Sequence, residues 1–160
     1  TLALSLKYRP ATQSDVNHAR RIMFKERMNF LSLSANSLVI CVDVSDDDNE
    51  DQNKLIVGFG QIRRLNDQYS ELASLYVDPE YRNRGVGSEL VTNLLNKRHD
   101  DDNTSLCLLT LRPTVPFYEK FGFCVISRDN LPSPLRIEYL AGSLISLFLG
   151  NELVCMEKKL

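Results

Sequence analysis

The stretch from Glu71 to Leu95 constrains the fold more than any other part of this chain. Residues 71–77 are apolar with a β-branched end, Asp78-Pro79 forces the backbone out of a β-ladder, and Arg82-Asn83-Arg84-Gly85-Val86-Gly87 supplies a turn before an amphipathic run begins. The order predicts strand, tight loop, helix. A loop of this kind suits an anion: two glycines let the backbone approach without a Cβ in the way, and the first N–H groups of the following helix have no internal partner. The positive end of the helix dipole adds to this, and Arg82 and Arg84 bring full charges. Only two glycines are present, so the six-residue dinucleotide fingerprint is excluded. No Gly-Lys-Ser/Thr closes the loop, so a nucleotide P-loop is excluded too.

The remaining elements follow in chain order. Residues 2–9 alternate well enough for a strand, residues 10–15 read as a turn with a helix cap, and a helix is expected from near Asp15, with Val16, Ala19, Ile22, Met23 and Phe24 at helical spacing. His18 is expected at the surface. Residues 28–37 show no clean period. Leu38–Val44 and Leu55–Arg64 read as a strand hairpin, and the acidic run between them, residues 45–53, reads as a solvated loop. Counted as an EF-hand from Asp46, its sixth and twelfth places hold Asp51 and Val57 rather than Gly and Glu, which argues against calcium.

Leu65–Tyr69 is a polar turn into Glu71. After the loop, Leu90, Val91, Leu94 and Leu95 share one helix face, and Ser105–Leu111 is an apolar run of the central-strand type. Strand, loop, helix and strand together predict a right-handed parallel crossover. A short helix is expected around Tyr118 and a strand over 123–127. A longer helix over residues 130–150 should stop at Gly150 and pack its wide apolar surface on the domain, the alternative being that it covers a partner or a second subunit, and a closing strand is expected over 152–160.

Composition bounds what such a chain does. With 160 residues, 43% of them hydrophobic, it is long enough for one domain with one core and needs no staples. Cys41, Cys107, Cys124 and Cys155 lack Cys-x-x-Cys spacing and sit in apolar runs, so they are expected to be buried free thiols in a reducing compartment. Two histidines without paired ligands imply no metal. A net charge of −2 argues against a nucleic-acid partner, and no apolar run reaches membrane-spanning length. The chain opens on Thr1 rather than Met, which leads to the expectation that a leader or targeting peptide has been removed.

Two segments resemble one family. Val77-Asp78-Pro79-Glu80-Tyr81-Arg82-Asn83-Arg84-Gly85-Val86-Gly87 is similar to motif A of the GNAT superfamily of N-acetyltransferases, and Pro116-Phe117-Tyr118-Glu119-Lys120-Phe121-Gly122-Phe123 to its motif B. The resemblance implies a single α/β domain over residues 1–160, with a central mixed, twisted β-sheet flanked by helices. It also implies acetyl-CoA as co-substrate and a primary amine as acceptor. Backbone groups of Leu75, Tyr76 and Val77 would then pair with the pantetheine arm, and Arg82, Asn83, Arg84, Gly85, Val86, Gly87 and Ser88 would hold the pyrophosphate. Tyr118 would protonate the departing thiolate. Glu71, six residues before Val77, stands where members with a glutamate base keep it, and strand alternation puts it on the face of Ala73, Leu75 and Val77. Leu111 departs from the pattern, since many members carry Asn there.

A lysine amine with pKa about 10.4 is neutral roughly once in 2,500 at pH 7, a cost of about 4.6 kcal/mol, whereas an α-amine costs about 1 kcal/mol. A base therefore matters more for lysine. Arg27–Leu33, Gly58–Arg63 and the long C-terminal helix are also similar to a plant and cyanobacterial branch that includes plastid enzymes acetylating protein N-termini and lysines. That likeness implies protein or peptide acceptors and a plastid stroma location; a monomer or weak homodimer is expected. A small amine or polyamine acceptor, and an acyl-CoA-binding module without turnover, are the alternatives.

Overall fold

The computed structural model describes residues 5–26, 28, 32–44, 55–98, 104–148 and 150–158. Seven strands form one sheet: β1 (Leu6–Pro10), β2 (Leu38–Asp43), β3 (Ile56–Arg64), β4 (Tyr69–Val77), β5 (Ser105–Leu111), β6 (Cys124–Ile126) and β7 (Leu153–Lys158), in the order β1-β2-β3-β4-β5-β7-β6. The β1–β2, β2–β3, β5–β7 and β6–β7 pairs are antiparallel, and β4–β5 is parallel, so the sheet is mixed. Four helices accompany it: α1 (Gln13–Lys25), α2 (Val86–Asn96), α3 (Val115–Glu119) and α4 (Arg136–Phe148). The chain divides into two compact units, residues 1–62 with 74–99 and residues 63–73 with 100–160. The expected acidic loop over 45–53 lies outside the described residues, as do Arg27, residues 29–31 and His99.

In the first unit α1 starts two residues earlier than its apolar spacing indicates, because Thr12 caps it. The Thr12 hydroxyl accepts from the Asp15 N–H, and the Asp15 carboxylate accepts from the Thr12 N–H at 2.6 Å, a reciprocal box worth about 1 kcal/mol. Burial works against the charge on Asp15, but Arg9 at 2.7 Å and the Thr12 donors outweigh it and hold the carboxyl below its usual range. Val16, Ala19 and Met23 enter a core with Leu38, Ile40, Phe59 and Tyr76, while His18 is exposed as expected. Phe24 departs from the expected face and is 71% exposed. Packing of α2 uses Leu90 and Leu94 against β3, and a Cβ on Gly58 would meet Leu90 and the Tyr76 carbonyl at 3.0 Å, so a smooth backbone there sets the helix-to-strand distance.

A buried amide organises the same unit. Gln61 has no exposure; its Oε1 accepts from Ser37 Oγ at 3.0 Å, and its Nε2 donates to the Ser32 carbonyl at 3.1 Å and to Ser74 Oγ at 3.2 Å. Ser74 lies mid-strand with φ 59°, a left-handed conformation costing about 1–2 kcal/mol for a residue with a Cβ. The alternation expected through β4 is therefore interrupted, and the shared face assigned to Glu71 and Ala73 does not carry on to Leu75 and Val77. Gln61→Leu is expected to lower unfolding free energy by about 2 kcal/mol, since three half-buried polar groups lose a partner. Urea denaturation monitored by circular dichroism checks it.

In the second unit β5 lies between β4 and β7, its parallel register running Tyr69–Ser105, Ser70–Leu106 and Glu71–Cys107. Leu131, Leu135, Tyr139, Cys107 and Cys155 form a core that Leu109, Ile126 and Leu153 extend. The expected C-terminal helix begins only at Arg136, because Ser133-Pro134-Leu135 first make a 3₁₀ turn. Its packing is one-sided: Tyr139 is buried, whereas Ile137, Leu140 and Leu144 are 81%, 65% and 75% exposed. Three cysteines are buried as expected, and Cys124 is exposed on the edge strand β6. Among the described residues, no helix is long and apolar enough to cross a membrane.

Candidate active site

The glycine loop folds as its sequence dictates. Asp78 accepts the Glu80 N–H at 2.9 Å and opens a 3₁₀ turn over Pro79–Tyr81, after which Asn83 takes φ 61° and Gly85 φ 86°. The helix begins at Val86, the fifth residue of the expected six-residue turn, so Val86, Gly87 and Ser88 are its first turn. Its first internal bond runs from the Glu89 N–H to the Gly85 carbonyl at 3.0 Å, which leaves the three preceding N–H groups without an intrahelical acceptor. Gly85 has no side chain to cap them, and a Cβ added there would meet nothing within 4 Å; its φ, not crowding, requires glycine.

The side chains around the loop are fixed from the protein side. Arg82 donates through Nε to the Val77 carbonyl at 2.9 Å, and the Arg84 guanidinium sits 5.9 Å above the Tyr81 ring. The Tyr81 hydroxyl donates to Asp43 at 2.7 Å, and that carboxylate, more than burial, pushes the phenol up to about 12. Val86 is buried against β3 and contributes only backbone to the loop. Of Leu75–Val77, Tyr76 is buried and stacks on Phe59 with centroids 5.1 Å apart.

Glu71 and Tyr118 belong to the second unit. Glu71 is 4% exposed, and its Oε2 accepts from Arg63 Nε at 2.6 Å. Arg63 Nη2 donates to both oxygens of Glu138, at 2.8 and 3.0 Å. Burial raises the Glu71 carboxyl, Arg63 pulls it down, Glu138 pushes it up, and the net direction is up. Tyr118 lies in α3, half-buried, with its ring edge-on to Phe117 at 4.9 Å and to Phe123 at 6.1 Å. Burial pushes its hydroxyl up to about 12, and a hydrogen bond with Thr110 works the other way. Thr110 in turn pairs with the Thr114 hydroxyl, and Thr114 donates to the Leu111 carbonyl at 2.7 Å.

The structure thus brings Glu71 together with Arg63 and Glu138, Tyr118 with Thr110, and Arg82 with Val77. Arg63, Glu138, Thr110 and Gln61 are absent from the sequence-level set. Only Arg63 carried a local signal, as a cation two residues after Gln61 on the strand preceding Glu71. Among the described residues, no group of three or more His, Cys, Asp and Glu could hold a metal.

A mixed α/β sheet carrying a glycine loop at a helix start is a scaffold that suits a phosphate-bearing ligand. Residues 41–125, more than half of the chain, match the acetyltransferase (GNAT) domain, and the chain belongs to that family of acetyl-CoA-dependent N-acetyltransferases. No curated protein matches the sequence. Among solved structures, Rv2747 of Mycobacterium tuberculosis in complex with CoA aligns at 21% identity and TM-score 0.70, over 96% of this chain and 99% of that one. N-acetylglutamate synthase of Neisseria gonorrhoeae with coenzyme A and N-acetyl-glutamate aligns at 19% identity and TM-score 0.69, over 99% of this chain but 36% of that one. A GNAT-family acetyltransferase of Staphylococcus aureus aligns at 20% identity and TM-score 0.65, over 96% and 98% of the two chains.

Proposed function

We propose that the chain transfers acetyl from acetyl-CoA to protein amines, both N-terminal α-amines and lysine ε-amines, by direct attack in a ternary complex over a single domain spanning residues 1–160. The observation that carries this reading is the buried Glu71, whose raised proton affinity suits a base for a poorly acidic ammonium. With Arg63 and Glu138 it forms a group of net charge −1, which favours a cationic acceptor.

Bound acetyl-CoA supplies the activated acetyl group. The residues of the chain divide the other work. The N–H groups of Val86, Gly87 and Ser88, with Arg82, Asn83 and Arg84, hold the pyrophosphate, and the open space beside Gly85 fits it. Backbone groups of Leu75, Tyr76 and Val77 orient the pantetheine arm. Glu71 accepts the proton of the incoming ammonium, and the Tyr118 hydroxyl gives its proton to the departing sulfur, with Thr110 supporting the phenolate that results. Arg84→Ala is expected to weaken CoA binding about tenfold, less at high salt, because a charge-assisted contact to phosphate is lost. Calorimetric titration with CoA at two ionic strengths checks this.

The gonococcal synthase structures hold N-acetyl-glutamate or L-arginine beside coenzyme A, which supports a second reading with a small amino-acid or amine acceptor. A plastid stroma location rests on the sequence likeness to plastid enzymes alone, and fusion of the full-length encoded protein to a fluorescent protein tests it. The acceptor is tested with labelled acetyl-CoA and peptides with free or blocked N-termini, with and without lysine, alongside free amino acids and polyamines. Labelling of both peptide classes supports the proposal. Labelling of small amines alone overturns it in favour of the second reading.

A further inference from the structure

An arginine grips a carboxylate most firmly side-on, through Nε and Nη2 together. In this chain the fork is split. Nε of Arg63 serves Glu71 through a single bond to Oε2, while Nη2 is taken by both oxygens of Glu138, the third residue of α4. Glu71 is held by one N–H, and its Oε1 has no partner among the described residues.

We infer that Glu138 is a positioning residue for acetyl transfer: by occupying Nη2 of Arg63 it stops the guanidinium from closing its full fork on Glu71, and so leaves Glu71 one open oxygen and enough proton affinity to act as a base. The inference rests on the base role proposed for Glu71. The groups near Glu71 come from four elements: Arg63 from β3, Glu138 from α4, Cys107 from β5 and Cys155 from β7, while Glu157 of β7 lies across from Cys107 and acts on the two thiols. The two thiols are pushed up to about 12 and stay neutral over the working range, so Arg63 and Glu138 are the charges that act on Glu71. A carboxylate relieved of a neighbouring like charge, and gripped by a second N–H, binds its proton less tightly.

The test uses Glu138→Ala and Glu138→Gln. The side chain is 35% exposed on a helix, so neither change buries a new charge or breaks the helix. Protein made with carboxyl-labelled glutamate is titrated by carbon NMR, with the Glu71 signal assigned by its absence in Glu71→Gln. Both variants are expected to titrate Glu71 at lower pH than the parent, Ala more than Gln because the amide oxygen still accepts from Nη2. kcat/KM on lysine peptides should fall about tenfold as the base weakens. An unchanged Glu71 titration in both variants overturns the inference. A titration that moves while the acid limb of kcat/KM stays fixed leaves the coupling standing and removes Glu71 as the base.

Discussion

Replacing Tyr118 with Phe is expected to lower kcat by about 10²–10³-fold while CoA affinity stays within about twofold of the parent. The phenol is pushed up to about 12 by burial, so it carries its proton at every working pH. Giving that proton to a thiolate whose acid has pKa near 8.5 is uphill by about 5 kcal/mol on these values. Bulk water, at about 15.7, would be worse by a further 5 kcal/mol or so. Tyrosine is thus a reluctant donor, yet a far better one than the solvent it replaces, and the rate loss measures the share of that difference felt in the transition state. Phe also loses the hydrogen bond with Thr110, a stability cost of about 1 kcal/mol that leaves the fold intact. No alkaline loss of kcat from this group is expected below about pH 11. Steady-state kinetics with calorimetric CoA binding decide the matter, and a kcat within threefold of the parent removes Tyr118 from the mechanism.

The second large effect is at Glu71. Glu71→Gln is expected to cut kcat/KM on lysine peptides by more than about a hundredfold and on free N-termini by about tenfold, because the ammonium to be discharged costs about 4.6 kcal/mol in one case and about 1 kcal/mol in the other. The amide keeps the shape, and Glu138 still neutralises Arg63, so no buried cation is orphaned. The pH signs are opposite for rate and stability. With Glu71 as the proposed base, activity of the parent is expected to fall as pH drops through the raised Glu71 value, because the carboxylate becomes protonated. Its stability falls as pH rises from the ordinary carboxylate range through the same raised value, because the folded form binds that proton more tightly than the unfolded chain does. Glu71→Gln removes both slopes. Peptide kinetics and thermal melts against pH read them separately.

Residues 71–96 were legible because each signal there is local: an apolar run, Asp78-Pro79 to end it, and a glycine loop before a periodic helix. The hairpin of β2 and β3 and the short helix around Tyr118 were legible for the same reason. The Thr12 and Asp15 spacing even held the true start of α1, three residues apart in a capping box, although apolar periodicity pointed later. Two things were beyond reach. The left-handed Ser74 has no glycine or asparagine to announce it and exists because a buried amide thirteen residues earlier holds its hydroxyl. Arg63 and Glu138 are 75 positions apart, so only the folded chain makes them neighbours. Glu71 was singled out by its position, but its surroundings, which set its proton affinity, were not legible.

The four thiols have a practical consequence. Cys41, Cys107 and Cys155 are buried, chiefly for that reason pushed up to about 11, 12 and 12, and present almost no thiolate at neutral pH. Cys124 alone faces solvent. These 160 residues therefore carry a single chemical handle, six residues beyond Tyr118, where a maleimide fluorophore attaches without engineering any cysteine in or out.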